Sequence, residues 1–118
     1  MTPMSAPMID AQTFTELQAN AGADFVVELV DTFADEAPAM MAALRSAFAA
    51  SDADAFRRAA HSLKSNSSTF GASHLAELAR SLELGGLPPD GAPIETLARE
   101  LAHSLAALKA LARGAGGG

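Results

Sequence analysis

The sequence has no cysteine, no tryptophan and no tyrosine, and only 8 lysines and arginines in 118 residues. Without cysteine there can be no disulfide, no thiolate metal site and no thiol nucleophile, a composition that fits a reducing compartment. The scarcity of cations, with a formal net charge of −6, leaves no general basic face to neutralise nucleic-acid phosphates. No apolar run approaches the roughly 20 residues of a membrane span. The opening MTPMSAPMIDAQ lacks the basic-then-apolar order of a signal peptide. No P-loop pattern occurs, so self-phosphorylation from ATP is not expected. His61, His74 and His103 lack the spacing of a zinc site, and the acidic run 31–36, DTFADE, reads as a solvated helix face. What remains is one acidic, alanine- and leucine-rich domain that leans to helix, expected to be cytoplasmic, without membrane or nucleic acid as partner.

Residues 1–9 read as a loose leader. Asp10 is placed to cap a short helix with Phe14 and Leu17 on one face, ending near Asn20–Gly22 and lying as a lid across one end of the fold. Asp24 is the expected cap of a long helix to about Ala49, with Phe25, Leu29, Phe33, Ala37, Met40, Leu44 and Phe48 as its apolar stripe. Pro38 predicts a kink or break there. After a turn at Ala50–Ser51, a capping box of Ser51 and Asp54 starts a helix that ends at Gly71, with its polar run Ser65–Thr69 expected to fray or bend. A further helix spans Ser73–Leu84, LPPDGAP forms a loop, and residues 94–112 make the last helix before a Gly-rich tail at 113–118. The fold class is all-α: an antiparallel four-helix bundle with an additional short N-terminal helix.

The stretch SDADAFRRAAHSLKSNSSTFGA, 51–72, holds the chemistry. At 100° per residue, Phe56, Ala59, Ala60, Leu63 and Phe70 fall within about 60° of Phe56, whereas His61 lies at about 140° and should face water. Arg57 one turn before, Lys64 and Ser65 one turn after, and Ser68 two turns after share its face. A lone exposed histidine is ordinarily incidental, as His74 and His103 are read. Here only the neutral ring has a lone pair to attack phosphorus, nearby cations favour that form, and the same cations and hydroxyls can meet the charge of a phosphorylated product.

AHSLKSNSSTFGA at 60–72 resembles the signature of histidine phosphotransfer (HPt) domains, approximately AHxLKGxSxxxGA, through Ala60, His61, Leu63, Lys64, Ser67, Gly71 and Ala72. The resemblance extends over about residues 10–112. It implies a bundle whose exposed histidine takes a phosphoryl group from one receiver-domain aspartate and passes it to another, with His61 phosphorylated and Lys64 its electrostatic companion. Ser65 stands where the family usually has glycine, which should hinder a partner's approach slightly. The implied partners are response-regulator receiver domains and a histidine kinase. No cofactor is expected on the carrier itself; the divalent metal belongs to the receiver. A monomer suits a shuttle.

Because the helices on either side of the 50–51 turn run antiparallel, His61 lies level with Met40, and Ala37 and Met41 are the candidates for docking a receiver. Two alternatives accompany this reading: a module phosphorylated directly by a separate histidine kinase, and a bundle that binds such partners without accepting phosphate.

Overall fold

The computed structural model describes residues 9–117. The expected leader and the final glycine therefore fall outside it, apart from Ile9, which is buried in the core. Five helices follow one another: α1 (Ala11–Ala21), α2 (Ala23–Ala49), α3 (Ala53–Thr69), α4 (Ser73–Gly85) and α5 (Ala92–Gly117). Helices α2 to α5 pack in a closed ring, each against its chain neighbour and α5 back onto α2, while α1 lies on α2. This is the antiparallel four-helix bundle with one extra helix. Among the described residues, no helix is long and apolar enough to cross a membrane.

Asp10 caps α1, its carboxylate accepting from the Thr13 backbone at 3.3 Å. Helix α1 covers the end of the bundle where α3 stops and α5 finishes: Asp10 N–H donates to Gly71 O at 2.7 Å, and Phe14 is buried. The α3–α4 turn makes that approach possible. Gly71 has φ +79°, and its neighbours close the helix with Gly71 N–H on Ser68 O (3.1 Å) and Ala72 N–H on Ser67 O (2.9 Å), the paired bonds of a glycine-ended helix. A Cβ at Gly71 would stand 2.9 Å from Asp10 O and 3.0 Å from Thr13 Cβ, so backbone conformation and contact both require glycine.

Several local expectations are corrected. Gly22, not Asp24, occupies the N-cap of α2, and Asp24 sits in the first turn, where a carboxylate suits the positive helix end. Pro38 does not break α2. An interior proline costs about 3 kcal/mol, but buried Phe33, Met41 and Leu44 each contribute about 1.5–3 kcal/mol, so packing on both sides of Pro38 outweighs it. The buried face of α2 is Val26, Val30, Phe33, Ala37, Met41, Leu44 and Ala47, rotated from the expected stripe, and Phe25 is 50% exposed. Helix α2 must face both α3 and α5, so its core line runs between the two apolar bands.

Asp52, not Ser51, caps α3, accepting from Ala55 N–H at 3.0 Å; Ser51 takes the turn's left-handed conformation, φ 56°. Helix α3 continues unfrayed to Thr69. Its polar run stays helical because the side chains bond back to their own helix: Asn66 to Ser62 O, buried Ser67 to Leu63 O, and Thr69 to Ser65 O. Phe70 beyond it stacks on Phe33 with centroids 5.4 Å apart. Ala72 stands at the N-cap of α4, without a side-chain cap. Helix α5 begins earlier than expected and carries on to Gly117, where a loose tail was anticipated.

Candidate functional site

Helix α3 buries Phe56, Ala60, Leu63 and Ser67, which turns the opposite side of the helix outward. His61 is on that side, with a side-chain exposure of 55%. Its Nδ1 lies 2.8 Å from Oε2 of Glu83 on α4. The other oxygen of the same carboxylate, Oε1, is 2.9 Å from Lys64 Nζ. Glu83 is only 12% exposed, so one nearly buried carboxylate ties the imidazole and the ammonium together across the α3–α4 seam.

The charges decide the tautomer. Lys64 first, and His61 second, hold the Glu83 carboxyl below the usual carboxylate range. An ionised carboxylate only accepts, so Nδ1 must carry the proton in this contact. In the neutral ring the lone pair then belongs to Nε2, the nitrogen free of Glu83. The ring is thus anchored by one nitrogen and offers the other as a nucleophile.

Of the residues singled out from the sequence, His61 and Lys64 meet through Glu83. Ser65 and Ser68 are exposed on the same helix, and neither hydroxyl bonds to His61. Arg57 is not part of the cluster: it pairs with Asp54 at 2.7 Å, and Arg58 joins the same carboxylate at 3.1 Å. The nearest charge to the ring is therefore an anion bridged to a cation, not a surround of cations.

Ala37 and Met41 are not exposed docking residues. They are 3% and 8% exposed and line the α2–α5 cleft with Pro38, Ala98, Leu101 and Leu105. They stand at the expected height on α2 but on the side that faces α5. At that height, the groove that borders the His61 helix is formed by Ala39, Met40 and Ala43 of α2 with Ala59 and Ser62 of α3.

Glu83 was missed by the sequence reading, although a signal exists: folding α3 and α4 back on each other about Gly71 brings His61 opposite Ser81–Glu83. His74, read as incidental, points Nδ1 at Glu100 Oε2 from 3.4 Å; His103 is exposed. Asp31, Asp35 and Glu36 of the acidic run are solvated. Among the described residues, no group of three or more His, Asp or Glu side chains is arranged to hold a metal ion.

Comparison with known proteins adds a separate line of support. The profile of the Hpt domain family matches residues 28–111. The crystal structure of histidine-containing phosphotransfer protein B (HptB) from Pseudomonas aeruginosa PAO1 aligns with a TM-score of 0.72 at 30% identity, covering 93% of this chain and 95% of that one. No curated protein matches the sequence significantly.

Proposed function

We propose, on the premise that this chain belongs to the Hpt domain family, that His61 is its phosphoryl acceptor and that Glu83 and Lys64 prepare it. As a histidine phosphotransfer protein the chain is a phosphocarrier of a phosphorelay. In our reading, Nε2 of His61 attacks the phosphorus of an aspartyl phosphate on a receiver domain. The N–P bond forms as the P–O bond breaks, and the aspartate leaves as a carboxylate. The proton stays on Nδ1, so the ring becomes a cation as it accepts the phosphoryl group, and the Glu83 carboxylate already stands 2.8 Å away to stabilise it. Reversal returns the phosphoryl group to a second aspartate with no proton to relocate.

Lys64 faces the new negative charge, and the hydroxyls of Ser65 and Ser68 flank it as donors. We assign the receiver contact to the groove of Ala39, Met40, Ala43, Ala59 and Ser62, beside the nucleophile, and the divalent metal of the transfer to the receiver. The chain acts as a monomeric carrier without an ATP site of its own, in the cytoplasm. The observation that carries this reading is the single carboxylate gripping Nδ1 of an exposed ring and the Lys64 ammonium at once.

The test is transfer from phosphorylated receivers to wild-type protein and to His61→Gln. Acid-labile label should appear on the wild type and be absent from the variant. Label that survives in His61→Gln, or none on the wild type from any receiver or kinase, removes the proposal.

A further inference from the structure

A phosphoryl group on His61 brings close to two negative charges, yet the one cation in contact with the site is already committed to Glu83. The other cations of α3 are committed too: Arg57 and Arg58 both pair with Asp54. On α4 one cation remains. Arg80 is exposed and, among the described residues, forms no ion pair and no side-chain hydrogen bond.

Its position follows from the two contacts that orient α4. Glu83 points to α3 and His74 to α5. At 100° per residue, Arg80 lies about 60° from Glu83 and about 120° from His74, which puts it on the α3 side. Three residues before Glu83, it is that residue's neighbour on the helix surface, with Cβ atoms roughly 5–6 Å apart. Because α4 runs antiparallel to α3 and Glu83 meets His61, Arg80, three residues before Glu83, stands level with Lys64, three residues after His61, where the small exposed side chains of Ser65 and Ser68 leave room for a guanidinium to lean toward the ring.

We infer that Arg80 is the second cation of the phosphoryl site: it reaches across the α3–α4 seam and binds the phosphoryl oxygens as they arrive at Nε2 of His61. Exposed arginines ordinarily serve solubility. This one is set apart by an unbalanced charge beside it and by the commitment of every cation on α3. A guanidinium also suits the task, since its fork of N–H donors engages two phosphoryl oxygens together. Lys64 faces the phosphoryl group while still shared with Glu83, and Arg80 adds the second positive charge that the incoming group requires.

The inference rests on the reading of His61 above, and its test separates the two. Phosphoramidate serves as donor, with no receiver present, so docking plays no part: its P–N bond breaks, ammonia leaves, and the N–P bond to His61 forms. Arg80→Ala should lower the second-order labelling rate about tenfold, and Arg80→Lys should restore most of it. The phosphorus NMR resonance of the phosphorylated Ala variant should titrate at higher pH than that of the wild type, because a cation holding the phosphoryl oxygens favours their ionised form. The circular dichroism and Tm of both variants should match the wild type, since the side chain has no partner in the resting fold. Wild-type labelling and titration in Arg80→Ala overturn the inference while leaving His61 as acceptor. Equal labelling of His61→Gln and wild type overturns the acceptor itself, and the role of Arg80 with it.

Discussion

His61 and His74 lie on consecutive helices and make the same kind of contact. Each ring is more than half exposed, and each directs Nδ1 to a glutamate on the following helix. Both glutamates are nearly buried, at 2.8 Å for Glu83 and 3.4 Å for Glu100. The third member differs. Three residues after His61 comes Lys64, 2.9 Å from the second oxygen of Glu83; three residues after His74 comes Glu77. An exposed imidazole over a carboxylate is thus a contact this bundle makes twice. Only one copy adds a cation able to hold the carboxylate ionised and to face incoming phosphate, and that copy alone borders the α2–α3 groove. The cation, not the histidine, carries the distinction.

The most forceful way to break the comparison is to give His61 the charge pattern of His74. Lys64→Glu leaves the nucleophile and Glu83 in place and reverses the charge between them and the phosphoryl group. Transfer from a receiver should fall by about 100-fold, the scale of losing a charge-stabilising donor at a reacting centre, with Lys64→Ala intermediate. Stopped-flow or quench measurement of label transfer, with circular dichroism to confirm folding, checks it. Wild-type rates in Lys64→Glu would mean that the cation is ornamental and that some other feature separates the two histidines.

A smaller effect concerns stability. The Glu83 carboxyl is depressed chiefly by Lys64 and then by His61. A depressed carboxyl contributes stability that is present above its unfolded value, about 4.3, and is lost as pH falls through the lower folded value. Wild type should therefore exceed Glu83→Gln in stability near neutrality, and the gap should close on acidification below about pH 4. Denaturant melts of both proteins at descending pH read this directly. A gap that stays constant into strong acid would show that Glu83 is held by packing and not by its charged partners.

The asymmetry between the histidines is partly legible in the sequence. The α3 stripe of Phe56, Ala60 and Leu63 determined which side of the helix met water, so the exposure of His61 and its companionship with Lys64 followed from periodicity within one helix. What depended on a second helix was harder to read. Glu83 belongs to α4, and its contact exists only because the turn at Gly71 folds α4 against α3; no local pattern marks it. Ala37 and Met41 failed for a related reason. Antiparallel pairing gives a residue's height along a neighbour, but which side of α2 faces α3 and which faces α5 depends on the closed ring. Arg57 was misplaced because Asp54, three residues away, competes for it more closely than His61 does. The caps slipped by one residue at Asp52 and two at Gly22, where neighbouring residues could all begin a helix and the turn geometry chose.

The converse substitution sharpens the comparison with the smallest expected signal. In a His61→Gln background, Glu77→Lys places a cation three residues after His74, reproducing the offset of Lys64 from His61. If the cation is what equips a carboxylate-bound imidazole to accept phosphate, phosphoramidate should now label His74. The rate should be no more than about a tenth of that at His61, since the Nδ1 contact is longer. A receiver should still deliver nothing, because the apolar groove of Ala39, Met40, Ala43, Ala59 and Ser62 borders α3, whereas His74 is turned toward α5. Label from the small donor without label from the receiver would separate the chemistry of acceptance from the surface that brings the donor in. Efficient delivery by the receiver to His74 would mean that docking is far less selective than the position of that groove requires.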